Sequence, residues 1–212
     1  MTPMKRKRNG VFFLVLGMAL VFGAIGLSVY NVWDASRAAA ASFRTMAALD
    51  EAIEPVGASK PEDFIGAADE VEIPYYILNP NMEMPVLEID GRRYIGYLEI
   101  PVLGLSLPVL ESWSYSNLKV SACCYLGSPY LNNMVIAAHN YVQHFGRLDQ
   151  LQEGDEVRFI DVDGNVFVYS VLEKEQIDGR RVRAMLMGSW DLSLFTCTLS
   201  GQSRLTVRCV RI

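Results

Sequence analysis

The sequence predicts an all-β domain, barrel or sandwich, placed behind an N-terminal membrane helix. Three observations carry this. From Tyr94 onward, short β-rich runs succeed one another with no long helical pattern between them, which argues against β/α alternation. Gly-containing turn signals punctuate those runs, as at Val162-Asp163-Gly164 and Ser200-Gly201. Near the other end, Val11 to Val29 is a stretch of 19 residues without a charge, long enough to cross a hydrocarbon core of ~30 Å as a helix.

The elements follow in chain order. Lys5, Arg6, Lys7 and Arg8 form a basic block, and no acid occurs before Asp34. Such a block stays in the cytoplasm, so the rest of the chain is expected outside, on a single-pass anchor over 11–33 following a cytoplasmic tail at 1–10. Tyr30 and Trp33 stand where interfacial aromatics sit. A cleaved signal peptide is the competing reading, since AAAAS at 38–42 offers small residues, but the apolar run exceeds an ordinary signal core. A buried core helix is excluded because the run has no polar face. Residues 34–73 read as a stalk: good helix formers make 34–53 helical, and EPVGASKPEDFIGAADE then reads as a linker broken by Pro and Gly.

The domain is expected over 74–212. Its strands are YIGYLEIP (94–101), LSLPVLE (105–111), NMVIAAH (133–139), DEVRFID (155–161), NVFVYSVLEKEQ (165–176), LSLFTCT (192–198) and SRLTVRCVRI (203–212). A short helix fits 146–151, and part of 178–190 is helix or loop. The 212 residues, 51% of them hydrophobic, suit one domain plus a membrane segment. Net charge is −5; with the N-terminal block set aside, 15 basic residues face 24 acidic ones, a balance of −9. Such an acidic domain has no electrostatic footprint for nucleic acid. The four cysteines show no disulfide spacing, and two histidines without clustered cysteines make no closed metal site.

The chemistry concentrates near the C-terminus. With Ser200 and Gly201 at the centre of a hairpin turn, Leu199 pairs with Gln202, Thr198 with Ser203 and Cys197 with Arg204. Directly opposed residues share a face with Cβ atoms ~4.5–5.5 Å apart, so this register sets a guanidinium beside a thiol. Arg208 lies on the same face but ~13 Å further along the strand, and Arg211 has the wrong parity. A cation favours the thiolate, the nucleophilic form of cysteine, and an arginine also stabilises a developing oxyanion. Expelling an amine requires a proton donor, ordinarily histidine. Of His139 and His144, His139 is preferred because it ends a strand, whereas His144 in YVQHFG reads as a surface-loop residue. Taken singly, a strand cysteine is more often a small buried hydrophobe, the reading given to Cys123, Cys124 and Cys209. A strand arginine is more often a solvated edge residue. The ordered set of strand-end histidine, cysteine and opposed arginine is the narrower pattern.

These residues resemble the sortases, cysteine transpeptidases of Gram-positive cell surfaces. The family's TLxTC motif corresponds to SLFTC, Ser193 to Cys197, with serine in the first position. The family arginine corresponds to Arg204 in SRLTV and the family histidine to His139 in NMVIAAHN. YLGSP (125–129), FGRLDQLQEGDEV (145–157) and the single N-terminal anchor are also similar. The resemblance implies a closed eight-stranded β-barrel with short helices. It implies a secreted-protein substrate bearing an LPxTG-like sorting signal, and an amine acceptor from a peptidoglycan precursor or a pilin lysine. Cys197 would be the nucleophile and His139 the acid and base. Arg204 would hold the carbonyl, and Thr196 would join the substrate groove. No cofactor is implied. The loop Ile177–Trp190 would read the sorting signal, with Met185 and Leu186 either lining an apolar groove or packing the barrel. The chain has no Asp-Pro-aromatic lid motif and ends at RCVRI without a second apolar helix, which leans toward a wall-anchoring enzyme, although the ending itself is similar to pilin-type members. Two rivals stand beside this reading. An L,D-transpeptidase-like enzyme would place His and Cys together in an SHGC-type motif, which is absent. A non-catalytic extracellular adhesion module on a membrane stalk would make the cysteine incidental.

Overall fold

A computed structural model describes residues 4–53, 73–198 and 200–212. The polar linker expected at 54–70 lies outside the described residues. The chain divides into two compact units, residues to Arg37 and Ala38–Ile212, and helix α1 (Met4–Ala52) supplies the first and the beginning of the second. In the first, the apolar stretch exposes Phe12, Phe13, Leu20, Phe22 and Leu27 on all sides, and its 18-residue core has a mean hydropathy of 2.5. A helix that is apolar all round is stable in lipid or in a core, not in water, so its length and composition fit a single-pass membrane anchor.

The second unit holds nine strands: β1 (Leu87–Ile89), β2 (Arg92–Ile100), β3 (Leu105–Leu110), β4 (Ala122–Leu126), β5 (Met134–Ala137), β6 (Glu156–Asp161), β7 (Val166–Asp178), β8 (Leu192–Cys197) and β9 (Ser203–Arg211). The order is β1-β2-β3-β4-β5-β8-β9-β7-β6, and β6 pairs back onto β2. β2 to β9 therefore close into an eight-stranded barrel, with β1 a short hairpin arm on β2. Closure removes free sheet edges. Short helices α2 (Tyr75–Leu78), α3 (Tyr115–Leu118) and α4 (Val182–Leu186) decorate the connections, and the helix expected near 146–151 is a single 3-10 turn at Leu148–Gln150.

Alternation along the strands divides the core in two. Inward residues such as Leu98, Leu107, Ile136, Phe159, Tyr169, Leu194 and Val207 fill the barrel. Outward residues Tyr94, Leu110, Cys123, Val135, Ala137 and Phe195 form a second cluster, sealed by Leu49 and Ile53 at the end of α1. Residues 38–53 of the stretch expected as stalk are thus part of the barrel unit. Both strand pairs β3–β4 and β5–β8 are parallel, so β5 and β8 finish at the same end of the barrel. At the β2–β6 contact, Gly96 has φ 142° and its missing Cβ would stand 1.9 Å from the Ile160 carbonyl oxygen, so only glycine fits there.

Candidate active site

The site is built on the ends of β5, β8 and β9. β8 and β9 pair with Cys197 opposite Arg204 and Thr196 opposite Leu205, the register the turn chemistry predicted. Thr198 N donates to Ser203 O at 3.0 Å and Gly201 N to Thr198 O at 2.8 Å, with Gly201 at φ 70°. The expected Leu199–Gln202 pair lies outside the described residues. Across the barrel wall, Ala137 pairs with Phe195 in the parallel β5–β8 ladder, which Ala138 N extends by donating to Phe195 O at 3.3 Å. His139 and Cys197 each stand two residues past that pair, on its outward face. Neighbouring strands are ~4.8 Å apart, so equal register sets the two side chains next to each other.

One cavity of about 230 Å³ takes in His139, Cys197 and Arg204 together. Its walls are formed by Phe195 and Ala137 of the barrel, the aromatic residues Trp113, Tyr115 and Tyr125, and Val182 and Met185 of α4. The aromatic wall is continuous: Tyr125 meets Phe195 edge-on at 5.4 Å and Trp113 at 5.7 Å. Apolar walls around a few convergent polar groups are what a peptide-binding cleft requires. Larger hollows of about 570 and 510 Å³ lie elsewhere, one beside residues 39–50, one beside Glu111 and Trp113, and neither is lined by a histidine or by Cys197.

The cysteines separate by burial. Cys123, Cys124 and Cys209 are buried, and desolvation pushes their thiols up to about 12, about 11 and about 12. Cys197 is half-buried, and all four are free of disulfides. Arg204 donates from Nη1 to the carbonyls of Gly201 and Ser203, at 3.0 and 3.1 Å. Gly179 packs against the same guanidinium. The arginine is thereby pinned to the turn at the mouth of the cavity.

Thr196 is buried, and its hydroxyl donates to Ala138 O at 2.8 Å; it also borders the cavity. Met185 lies in the wall, whereas Leu186 is not among the lining residues and packs against the outward core cluster. His144 corrects the sequence expectation of a surface loop. It is fully buried, its Nε2 lies 3.3 Å from Ser42 Oγ, and burial, with His139 nearby, lowers its pKa to about 4. Its ring sits 5.5 Å from Tyr141, which in turn sits 4.8 Å from His139. Sequence reasoning missed the aromatic wall, although Trp113 and Tyr115 among serines in SWSYS are large apolar groups in a polar stretch. It also missed Arg208, which is buried rather than a solvated edge residue.

Comparison with known proteins agrees with this fold. The Sortase family model, described as a Sortase domain, matches residues 98–212. Among solved structures, the chain is similar to sortase C of Streptococcus pneumoniae at 26% identity, covering 59% of this chain and 71% of that one with a TM-score of 0.50. It is similar to a pilus-related sortase C of group B Streptococcus at 26% identity, over 59% of this chain and 70% of that one, TM-score 0.50. A sortase D5 transpeptidase of Clostridium perfringens shares the fold at 23% identity, over 56% of this chain and 79% of that one, TM-score 0.50. No curated protein matches significantly.

Proposed function

The chain belongs to the sortase family, and from that premise we propose that it is a membrane-anchored cysteine transpeptidase with Cys197 as nucleophile. The observation that supports this most is the single cavity shared by His139, Cys197 and Arg204, at the matched ends of β5 and β8.

The Cys197 sulfur attacks the scissile carbonyl of an LPxTG-like sorting signal. The amide C–N bond breaks, a C–S thioacyl bond forms, and His139 gives its proton to the departing amine. An incoming amine then attacks the thioacyl carbon, His139 takes up its proton, and the new amide leaves as the thiolate is released. Arg204 steadies the oxygen on which charge develops; its Nη1 is bound to the turn, and its Nε and Nη2 hydrogens meet no acceptor among the described residues. The extended substrate lies between the aromatic wall and α4, with Met185 against its apolar residues.

The acceptor is an amine of a peptidoglycan precursor or of a pilin. The streptococcal relatives are a sortase C studied for pilin substrate specificity and a pilus-related one, which weighs toward a pilin lysine. The apolar helix would hold the catalytic unit on the outer face, with the basic block inside, where exported substrates emerge.

The test uses the full chain in detergent with quenched LPxTG-like peptides, with and without amine acceptors. Intact mass should show an acyl adduct on Cys197 that disappears in Cys197→Ala. A folded enzyme that gives no adduct and cleaves no peptide would count against the reading.

A further inference from the structure

We infer that Arg208 is a positioning residue that fixes the α4 wall of the cavity and so governs how tightly the peptide substrate is held. The inference rests on the transpeptidase reading for its consequence, though not for its geometry.

Arg208 is directly opposite Ser193 in the β8–β9 register and its side chain is 2% exposed. Four hydrogen bonds and one ion pair engage its guanidinium. Nε and Nη2 both reach Glu175 Oε1 of β7, each at 2.7 Å. Nη1 donates to Ser193 Oγ at 2.8 Å and to the Met185 carbonyl at 2.7 Å. Nη2 also donates to the Ala184 carbonyl at 2.8 Å. On the far side of the loop, the Trp190 ring centre lies 5.9 Å from its Cζ. One guanidinium therefore joins three segments of chain: β7, β8 and the loop that carries α4.

The loop needs such a joint. α4 has five residues, too few to be stable alone, and the last carbonyls of any helix lack partners within it. Ala184 and Met185 supply two such carbonyls, and Arg208 meets both. The Met185 side chain, buried at 4% exposure, then stands in the cavity wall with Val182. A buried arginine is costly to desolvate, and hydrophobic residues of similar volume usually serve packing as well or better. Its simultaneous hydrogen bonds to backbone carbonyls and to side-chain acceptors are what an apolar residue would not provide. Lysine would keep the charge but offers three donors on a single nitrogen, not a planar fork of five.

The reacting residues are held by other means: Cys197 by the β8–β9 ladder, His139 by the Phe145 N bond to its carbonyl at 3.0 Å. Loss of the Arg208 fork should thus loosen the wall while sparing the chemistry. The experiment compares full-length wild type, Arg208→Lys, Ser193→Ala and Ser193→Thr in detergent. Amide hydrogen exchange over 182–187, alkylation of Cys197 by iodoacetamide, and KM and kcat on a quenched LPxTG-like peptide are read on each. In Arg208→Lys, exchange over 182–187 should accelerate about tenfold or more and KM rise by about the same factor, the worth of one charge-assisted hydrogen bond. kcat and Cys197 alkylation should stay within about threefold. Ser193→Ala should shift exchange and KM the same way by less, and Ser193→Thr, which keeps the hydroxyl, should match wild type. Unchanged exchange over 182–187 in Arg208→Lys and Ser193→Ala overturns the inference, as does equal loss in kcat and kcat/KM with KM unmoved. If wild type turns over no peptide, the transpeptidase reading fails by itself. The exchange and alkylation results still decide whether Arg208 holds the wall.

Discussion

The Thr196 hydroxyl donates to the Ala138 carbonyl at 2.8 Å, a bond made between the residues that immediately precede Cys197 and His139. It ties the ends of β5 and β8 where the paired ladder runs out. Replacing Thr196 with Val keeps the shape and removes the donor, leaving a buried carbonyl one partner short at a cost of ~1–3 kcal/mol. Peptide turnover should fall about tenfold as the two side chains lose their common reference, and Thr196→Ser should recover most of both. Urea midpoints and initial rates on the three proteins check this. Wild-type turnover in Thr196→Val would remove Thr196 from the site's support.

Thiol reactivity should single out one cysteine. Burial holds Cys123, Cys124 and Cys209 far from ionisation at neutral pH, and only the thiolate reacts, while half-buried Cys197 opens onto the cavity. Native protein at pH 7.5 should take up one alkyl group by intact mass, at Cys197, and four once unfolded. Cys197→Ala should take up none when native. Two or more groups on the folded protein would show that a second thiol is accessible.

Two glycine-to-alanine changes should part stability from activity. A Cβ at Gly96 would lie 1.9 Å from the Ile160 carbonyl oxygen, on backbone that cannot yield, at φ 142°. Gly96→Ala should lose more than ~4 kcal/mol or fail to fold, the range of severe backbone and packing defects. A Cβ at Gly179 would lie 3.0 Å from Arg204 Nη1 and 3.0 Å from Gln202 O. The guanidinium would be pushed from its bonds to the turn, and the Gln202 carbonyl, which accepts from Gly179 N, would have to give by a few tenths of an ångström. Gly179→Ala should therefore cost about 1–2 kcal/mol, far less than Gly96→Ala, yet lower kcat by about tenfold through a displaced Arg204. Thermal melts alongside turnover separate the two.

What the sequence disclosed was what local rules control. The Ser-Gly turn sets the β8–β9 register over a few residues, so Cys197 opposite Arg204 was legible. The strand-end position of His139 followed from the apolar run before it. β4 was missed because its short ACCYL run lacks alternation and pairs in parallel with β3 through Val109 and Leu110, a non-local match. His144 was misread, and Arg208 passed over, for a related reason. A polar side chain in a loop or on a last strand is solvated unless distant chain covers it. Ser42 covers His144 from 102 positions away, and Glu175 and α4 cover Arg208. No window around either residue contains its partners.

Buried His144 gives the fold an acid-sensitive step with a determinable sign. Its pKa is about 4 in the native state against 6.5 in an open chain, with desolvation the main cause and His139 the second. Above pH ~6.5 neither state binds the proton, and His144 contributes no pH dependence. As pH falls from ~6.5 toward ~4, the unfolded chain takes up a proton that the native state refuses, so stability declines. Below ~4 both states are protonated and the loss levels off at roughly 3 kcal/mol, at about 1.36 kcal/mol per unit of pKa difference. Tyr141 and Ser42 also pack on the ring, and His139 is the charged neighbour that adds to the burial. His144→Gln removes the titration and keeps a polar group toward Ser42. Urea unfolding at pH 7.5 and pH 4.5 should show wild type losing ~2–3 kcal/mol more than the variant between the two. Equal losses would mean that the native state accepts the proton, and that the Ser42–His144 contact opens to admit it.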